Sequence, residues 1–332
     1  MVVKRDGSIW ATGWIDGLEI KYPKFVKFVS YGTRAAAVGG EHSIMVKWDG
    51  SVWTKGSNTK GQLGDGTTIF RSDFVQVMKR GGRSVSAGLH HSLVLKKDGS
   101  MWAAGGNHYG ALGDGTTEKI RPTFVQVVKS GVKAVSAGAY CTLILKEDGS
   151  VWATGRNSNG QHGDGTLKHK NSFVQVLSRG ASAVAVGWHH TLLLMHDGSV
   201  WSAGWNNHGQ LGDGTIFDRI DFIKAIPSDA VYVTAGTAHS IALKSDGSVW
   251  VTGRNNHGQL GDESNNNRRY FTRVDFSGAM IVAAGFAHSM VLKKDGSVWA
   301  SGLNSDGQLG DGNSNFTDVN GFLNVGSIGT SV

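Results

Sequence analysis

The sequence has very little cysteine and proline. Its 332 residues include one cysteine, Cys141, and three prolines. A single cysteine excludes an intrachain disulfide and is compatible with a reducing compartment. No apolar run approaches the roughly 18 residues that a membrane-spanning helix needs, and residues 1–6 lack the layout of a signal peptide. We therefore expect no membrane span and a cytoplasmic or nuclear location rather than secretion.

Enzyme signatures are also missing. The chain contains no Gly-x-x-x-x-Gly-Lys-Ser/Thr phosphate loop, no His-Glu-x-x-His and no Gly-x-Ser-x-Gly elbow. Most carboxylates belong to repeated turns, so no asymmetric acid–base pair stands out. We expect the protein to be non-catalytic and to use no cofactor.

Glycine, in contrast, is abundant, with 49 residues. Without a Gly-X-Y period this composition excludes collagen. The glycines recur with the motif Asp-Gly-Ser-apolar-Trp, for example at residues 148–152, and the Trp steps are 49 or 50 residues after a shorter first one. The repeated tryptophans are Trp10, Trp53, Trp102, Trp152, Trp201, Trp250 and Trp299. A period of this length indicates a propeller or a solenoid.

Each repeat contains signals for four short strands. In the third complete repeat these are residues 124–128, 133–138, 142–146 and 150–154. Asp148-Gly149 joins the last two, and Asp-Gly between β-type runs is a strong hairpin signal because glycine accepts positive φ. No segment has a helical period. Seven such repeats predict an all-β, seven-bladed β-propeller with four-stranded antiparallel blades.

The two ends of the chain predict how the ring closes. Residues 1–7 continue the pattern almost where the C-terminal segment stops, so we expect one domain over 1–332. Its last blade would be shared between residues 1–30 and 316–332, with one strand from the C-terminal end, which removes exposed sheet edges. We expect a monomer. This fit of the ends is also compatible with a designed domain or one trimmed from a longer chain.

The first repeat departs from the others. It lacks the Gly-Gln-Leu-Gly-Asp-Gly-Thr loop and has residues 13–18 in its place. We expect the rim of the propeller to be cut away there.

Three motifs together resemble the RCC1-type repeat (regulator of chromosome condensation). They are Gly-x-x-His-Ser/Thr, Asp-Gly-Ser-Val-Trp-x-x-Gly-x-Asn and Gly-Gln-Leu-Gly-Asp-Gly-Thr, and they cover nearly the whole chain. The resemblance implies a seven-bladed propeller with four-stranded blades. Members of this family include a nucleotide exchange factor for a small GTPase, a plant ultraviolet-B receptor and an enzyme inhibitor, so the resemblance leaves the function open.

A ring of repeated polar residues invites a metal hypothesis. One residue per blade follows the Gly-x-x pattern: His42, His91, Cys141, His190, His239 and His288. A zinc site needs several ligands at one point, whereas this repeat spreads them around a circle. We therefore expect no metal, and interpret the ring as buried imidazoles that bond to backbone groups of neighbouring strands. The repeated tryptophans are interpreted as core wedges between blades.

One face of the propeller carries the side chains that break the repeat. Meandering blades place the Gly-x-x-His connections and the Gly-x-Asn loops on this face. Aromatic and arginine residues dominate binding hot spots, and loops carry function. The candidate partner-binding residues are Trp14, Glu41, Leu89, His90, Tyr140, Arg156, Trp188, His189, Trp205, Arg254 and Phe286.

The opposite face has a basic composition. Lysines such as Lys47, Lys96 and Lys146 lead into the Asp-Gly turns, and the formal net charge is +7. We interpret this face as a solvated rim, with nucleic acid as the second candidate, because specific DNA contact usually needs a denser basic patch.

These observations predict a protein–protein interaction module whose partner the sequence does not identify. One alternative, implied by the resemblance alone, is a guanine-nucleotide exchange factor for a small GTPase with chromatin contact. The regular repeat spacing leaves no room for the wedge-like insertion of that exchange factor. Another alternative is a carbohydrate-binding propeller with repeated rim pockets. Photoreception is disfavoured because the Gly-Trp-His-His-Thr unit at Trp188 occurs once.

Overall fold

The Asp-Gly-Ser-x-Trp motif builds a self-contained hairpin in each repeat. In the computed structural model, the Asp148 Oδ1 accepts a hydrogen bond from the Ser150 N–H at 2.9 Å, and Trp152 Nε1 donates to Ser150 Oγ at 3.1 Å. Gly149 has a φ of +78°, and a Cβ there would lie 3.0 Å from the nitrogen of Gly180. The turn therefore requires glycine both for its conformation and for its closeness to the next connection.

The structure describes residues 1–14, 21–116, 118–313, 315 and 317–327, and for Trp14 the backbone alone. Its strands form seven antiparallel sheets. Blade 7 contains β1 (Val2–Val3), β2 (Ile9–Trp14) and β3 (Lys21–Val29). Blade 1 contains β4 (Thr33–Val38), β5 (His42–Lys47), β6 (Val52–Gly56) and β7 (Arg71–Met78). Blade 2 contains β8 (Gly82–Ala87), β9 (His91–Lys96), β10 (Met101–Gly106) and β11 (Ile120–Val128).

The remaining four-stranded blades follow in chain order. Blade 3 contains β12 (Val132–Ala137), β13 (Cys141–Lys146), β14 (Val151–Gly155) and β15 (Lys170–Leu177). Blade 4 contains β16 (Ala181–Val186), β17 (His190–Met195), β18 (Val200–Gly204) and β19 (Arg219–Ile226). Blade 5 contains β20 (Ala230–Ala235), β21 (His239–Lys244), β22 (Val249–Gly253) and β23 (Arg268–Arg273). Blade 6 contains β24 (Ala279–Ala284), β25 (His288–Lys293), β26 (Ser297–Gly302) and β27 (Val319–Ser327).

This arrangement confirms the predicted seven-bladed all-β propeller. The helical structure among the described residues is a single 3₁₀ turn over His108–Gly110, which follows β10. No helix in the described ranges combines the length and the apolar character needed to cross a bilayer.

The core lies between the blades. Leu143, Leu145 and Val151 of blade 3 are fully buried, and Trp201 of blade 4 packs against the cluster that contains them. The repeated tryptophans are half-buried rather than fully enclosed, since one side of each ring stays accessible to a lysine. The Nζ of Lys146, for example, lies 4.1 Å from the ring centroid of Trp152. Each tryptophan therefore packs between blades, and a lysine ammonium group lies over the exposed side of its ring.

The Gly-Asp-Gly loops fasten each blade to the next one. Their aspartates form isolated β-bridges with the outer strand of the following blade. The described bridges are Asp65–Thr123, Asp114–Ser172, Asp164–Asp221, Asp213–Tyr270, Asp262–Gly321 and Asp311–Lys24. The last of these joins blade 6 to blade 7, so the ring is held across the junction between the C-terminal and N-terminal segments.

The junction between blades 7 and 1 uses different contacts. One backbone hydrogen bond is shared with the other junctions, from the Thr33 N–H to the carbonyl of Gly7 at 2.9 Å, and the side-chain contacts differ. The rings of Phe28 and Phe74 meet edge-on with centroids 5.7 Å apart, and the Nζ of buried Lys55 lies 4.5 Å from the Phe28 centroid. These residues fasten the seam at which the sequence lacks the Gly-Asp-Gly loop.

The predicted boundary of the shared blade differs from the structure. Strand β27, residues 319–327, pairs with β26 of blade 6 along its length, so this segment completes blade 6 and does not enter blade 7. The physical reason is the register of the repeat, in which the segment after the Gly-Asp-Gly loop returns as the fourth strand of its own blade. Any strand that the C-terminal end gives to blade 7 falls on residues 328–332, which lie outside the described residues, so terminal pairing stays a prediction.

Candidate functional site

Backbone hydrogen bonds hold the Gly-x-x-His connections and the Gly-x-Asn loops side by side. In each case the residue after the strand-ending glycine donates its N–H to the carbonyl of the residue just before the ring position. Arg156 donates to the Tyr140 carbonyl at 2.9 Å, and Trp205 donates to the His189 carbonyl at 2.8 Å. Gly155 makes this approach feasible, because its φ is +99° and a Cβ would lie 2.3 Å from the Tyr140 oxygen. We call the surface formed by these connections the loop face.

The loop face surrounds the mouth of the central channel. A cavity of about 480 Å³ opens there. Five of the predicted partner-binding residues line it: Glu41, Leu89, His90, Trp188 and Phe286. Phe286 is 59% exposed although it is aromatic, so the mouth presents apolar surface to solvent.

Aromatic side chains of blades 4 and 6 form one continuous cluster beside this mouth. The rings of Trp188 and His189 stack with centroids 5.9 Å apart and planes 5° from parallel. Phe286 meets Trp188 edge-on at 5.4 Å, and Trp205 meets His189 edge-on at 6.2 Å. His208 extends the cluster, with its ring 5.2 Å from that of Trp205.

A second cluster lies over blades 2 and 3. The Tyr109 ring is 5.9 Å from that of Tyr140 and 4.8 Å from that of His169. The His90 ring is 6.2 Å from Tyr140. The guanidinium carbon of Arg156 lies 5.7 Å from the Tyr109 centroid. Arg156 therefore belongs to this cluster through Tyr109.

The electrostatics of the loop face keep its histidines neutral. Burial, and then the charge of Arg156, lower the pKa of His189 to about 4. Burial lowers the pKa of His208, and Arg254 lowers it further. Both imidazoles are uncharged at pH 7, so the two guanidinium groups supply the positive charge of this region.

The predicted face residues fall into four groups. His90, Tyr140, Arg156, Trp188, His189, Trp205 and Phe286 lie in the ring contacts described above. Glu41 and Leu89 line the channel mouth only, and Arg254 reaches the first cluster through its charge near His208. The side chain of Trp14 lies outside the described residues.

Sequence reasoning missed Tyr109, His169 and His208. These residues sit in the loops that follow the third strand of a blade, where the repeat is loosest. The signal that could have found them is their aromatic or imidazole character at loop tips where other blades hold polar residues such as Asn159 and Asp306.

Five of the six ring residues are buried at equivalent positions and His288 is half-buried, and the described partners differ from the expectation. His42 Nε2 lies 2.9 Å from Ser92 Oγ, and His190 Nε2 lies 2.9 Å from Ser240 Oγ. The partner is therefore a hydroxyl of the next blade, not a backbone group. Because Ser92 Oγ donates in turn to the Gln62 carbonyl at 2.7 Å, the imidazole must be the donor to the hydroxyl.

Blade 3 differs from the other blades at two buried positions, one in the ring and one in the Gly-Gln-Leu-Gly loop. Cys141 replaces the histidine, and burial raises the pKa of its thiol to about 12, which makes it unreactive. His162 replaces the leucine of the Gly-Gln-Leu-Gly loop, and it is fully buried. Within the described part of the chain, neither of its ring nitrogens has a hydrogen-bond partner.

The lysines of the opposite face are committed to structural contacts. The Nζ atoms of Lys47, Lys96 and Lys244 lie 4.3, 4.0 and 4.3 Å from the ring centroid of the tryptophan in their own hairpin. Cation–π contact holds these charges against the rings. This face therefore offers less free positive charge than the sequence composition indicates.

The described residues contain no group of three or more His, Cys, Asp or Glu side chains placed to hold a metal ion. The aspartates of the Gly-Asp-Gly loops bond within their own loops. Asp65, for example, accepts from the Thr67 N–H at 2.9 Å and from Arg71 Nε at 2.7 Å.

Comparisons with known proteins agree with this architecture. The model of the RCC1-like domain family matches residues 73–328. No curated protein matches the sequence.

Solved structures share the fold at low sequence identity. Human WBSCR16 is 21% identical, with a TM-score of 0.85 over 97% of this chain and 90% of that one. Yeast RCC1 (Prp20), solved bound to Kap60, is 19% identical, with a TM-score of 0.82 over 97% and 85%. Prp20p from Saccharomyces cerevisiae, described with its binding to Gsp1p and histones, is 21% identical, with a TM-score of 0.79 over 97% and 86%. At this identity the similarity establishes the fold alone.

Proposed function

Because the chain belongs to the RCC1-like domain family, we propose that it is a non-catalytic protein-interaction module that binds its partner through the loop face. Neighbours of the same fold include yeast RCC1 (Prp20), which was solved bound to Kap60 and is described with its binding to Gsp1p and histones. Protein binding by this chain is the general role that agrees with them.

One observation carries the choice of face. The aromatic contacts that join Trp188, His189, Trp205 and Phe286 break the repeat, and all four residues lie in connections outside the strands. Partly exposed Trp rings beside an open channel mouth are typical of binding hot spots, because they bury a large apolar area when a partner covers them. The opposite face repeats its contacts in almost every blade.

The test removes the two tryptophans together. The Trp188→Ala/Trp205→Ala variant should capture its partner from native lysate, identified by mass spectrometry and then purified, about 100-fold more weakly. Its melting temperature should stay within about 3 °C of the parent, since the two rings lie on loops.

A matched control is available on the other face. Trp48 is 56% exposed in an Asp-Gly turn, and Trp48→Ala should leave partner affinity unchanged. Equal binding by the parent and the double variant would refute the proposed face.

Two further experiments test the alternative functions. Acceleration of nucleotide release from a panel of small GTPases would support an exchange factor, and saturable signals on a glycan array would support carbohydrate binding. If the parent shows either activity and the Trp188→Ala/Trp205→Ala variant loses it, the loop face is still the binding surface. The proposed class of partner would then be wrong.

A further inference from the structure

We propose that the loop face recognises an acidic protein segment that carries an apolar anchor residue. In this inference, which rests on the proposed function, carboxylates of the partner pair with Arg156 and Arg254, and the anchor packs on Trp205 between them.

Four arginines at or near the start of the fourth strands are already paired within the fold. Each pairs with the aspartate of the loop before its strand at 2.7 or 2.8 Å, and those aspartate side chains are 6–8% exposed. These pairs are Arg71–Asp65, Arg121–Asp114, Arg219–Asp213 and Arg268–Asp262. Such pairs are structural parts of the inter-blade fastening.

Arg156 and Arg254 are different. Neither forms an ion pair with any residue in the described ranges. Both stand directly after the strand-ending glycine, in blades 3 and 5, and blade 4 between them has Trp205 at the same position. Since adjacent blades present this position in succession around the ring, the loop face has the order arginine, tryptophan, arginine.

Rings flank the middle position on both sides: His189 contacts Trp205, and Trp205 contacts His208. The charge of Arg156 lowers the pKa of His189, and the charge of Arg254 lowers the pKa of His208. We call Arg156, His189, Trp205, His208 and Arg254 the loop-face row. Its centre consists of neutral rings that meet edge-on, and its two ends are cationic.

One carboxylate whose charge acts on the row is already engaged. Asp218, which opposes the lowering of the His189 pKa, accepts from the Asn206 N–H at 2.9 Å and from Asn159 Nδ2 at 3.0 Å. The two guanidinium groups are therefore available to carboxylates of a partner. Guanidinium forks match carboxylates well, and aromatic surface between them suits an apolar side chain.

The same chemistry disfavours nucleic acid. A nucleic-acid site tracks a dense row of phosphates with many lysines and arginines, whereas the row offers two cations separated by neutral rings. An acidic peptide with a few carboxylates around one apolar residue matches that spacing of charge better.

The experiment uses two fluorescent nine-residue peptides and the full chain. One peptide has a central phenylalanine flanked by glutamates, and the other has glutamines in place of the glutamates. Anisotropy titrations at low salt should give an affinity about tenfold higher for the glutamate peptide. Its binding should weaken about fivefold or more in R156Q and in R254Q, while the glutamine peptide is unaffected.

Controls keep the result interpretable. R83Q removes an exposed arginine at the start of β8 on the opposite face and should bind like the parent. Melting temperatures of all variants verify folding. A short fluorescent duplex DNA serves as the competing ligand class.

Three outcomes overturn the inference: equal binding of the two peptides, an unchanged affinity for the glutamate peptide in the R156Q/R254Q double variant, or DNA binding that exceeds peptide binding and depends on these arginines. If the Trp188→Ala/Trp205→Ala variant still loses the native partner while these peptides fail, the proposed face stands and only its acidic specificity is wrong.

Discussion

At the scale of single residues, the ring histidines show how burial and hydrogen bonding set a charge state. Burial lowers the pKa values of His42, His190 and His239 to about 3 and those of His91 and His288 to about 4. Each of these imidazoles is neutral in the folded protein at pH 7. In the described residues Nδ1 of His42, His190 and His239 is buried without a partner, so protonating it would place a charge where nothing compensates it.

This charge state predicts acid sensitivity. In the unfolded chain the histidines titrate near pH 6.5, and in the folded protein they titrate near 3–4. Between these values the unfolded state binds more protons, so stability is complete above pH 6.5 and falls as the pH drops towards 4. Each histidine contributes up to about 1.4 kcal/mol per pH unit. Urea unfolding at pH 7.5, 6.5, 5.5 and 4.5 measures the effect.

The matched variant is His190→Gln, which keeps a donor for Ser240 and removes one titrating group. Its stability should be less steep in pH than that of the parent. A parent stability that is flat from pH 6.5 to 4.5 would contradict the assigned charge states.

His162 supplies a second prediction at this scale. Burial lowers its pKa to about 4 against the opposing charge of Asp164, and its ring nitrogens lack partners among the described residues. Equivalent positions hold buried leucines such as Leu112 and Leu211. His162→Leu should therefore raise the free energy of unfolding by about 1–2 kcal/mol, measured by urea denaturation. The reverse change, Leu211→His, should destabilise, and a destabilised His162→Leu would show that the imidazole has a function.

At the scale of the element, the Gly-Asn to Gly-Asp-Gly-Thr loop behaves as a rigid unit. Asn157 Nδ2 donates to Asp164 Oδ1 at 3.0 Å and to the Thr166 carbonyl at 2.9 Å, and its Oδ1 accepts from the His162 N–H at 2.9 Å. One fully buried amide thus ties both ends of the loop together. The loop in turn bridges to blade 4, so its order matters for the packing of two blades.

We expect Asn157→Ala to destabilise the protein by about 2–3 kcal/mol, because it leaves several buried polar groups without partners. Limited proteolysis should then cut first within residues 157–166. Asn159→Ala, two residues away with an exposed contact to Asp218, is the control and should change stability by less than about 0.5 kcal/mol. Similar losses in both variants would show that the amide network is not what holds the loop.

At the scale of the whole molecule, the ring has one seam that is built differently from the other junctions. Blade 7 has three described strands, and β1 contains two residues. A cavity of about 930 Å³ lies beside it, lined by Met1, Val3 and inner-strand residues of blades 1, 2, 5 and 6. The Phe28–Phe74 contact and buried Lys55 hold the seam where other junctions have a Gly-Asp-Gly bridge.

Native-state hydrogen exchange should therefore show blade 7 opening first. Amides of residues 9–14 and 21–29 are expected to exchange before those of the matching strands of blades 2–5, since they have fewer buried neighbours. Protection equal to that of blades 2–5 would contradict this order, and would favour the predicted closing strand from the C-terminal end.

The local chemistry of this protein can be predicted from its sequence because the motif contains its own interactions. Asp148, Ser150 and Trp152 bond to one another within one hairpin, so seven copies of the spacing predict seven blades. The same holds for the ring positions, which recur at one place in each repeat. The periodicity of the sequence was enough to predict the fold and to assign the repeated loops to two different faces.

Contacts between blades depended on the tertiary structure. The hydroxyl partner of His42 is 50 residues away, the assignment of β27 to blade 6 depends on strand register, and the meeting of Trp188 with Phe286 joins residues almost 100 positions apart. A repeat specifies what each blade presents, but closing the ring decides which side chains become neighbours. For that reason the sequence indicated the binding face, and only the folded ring showed an aromatic row with an unpaired arginine at each end.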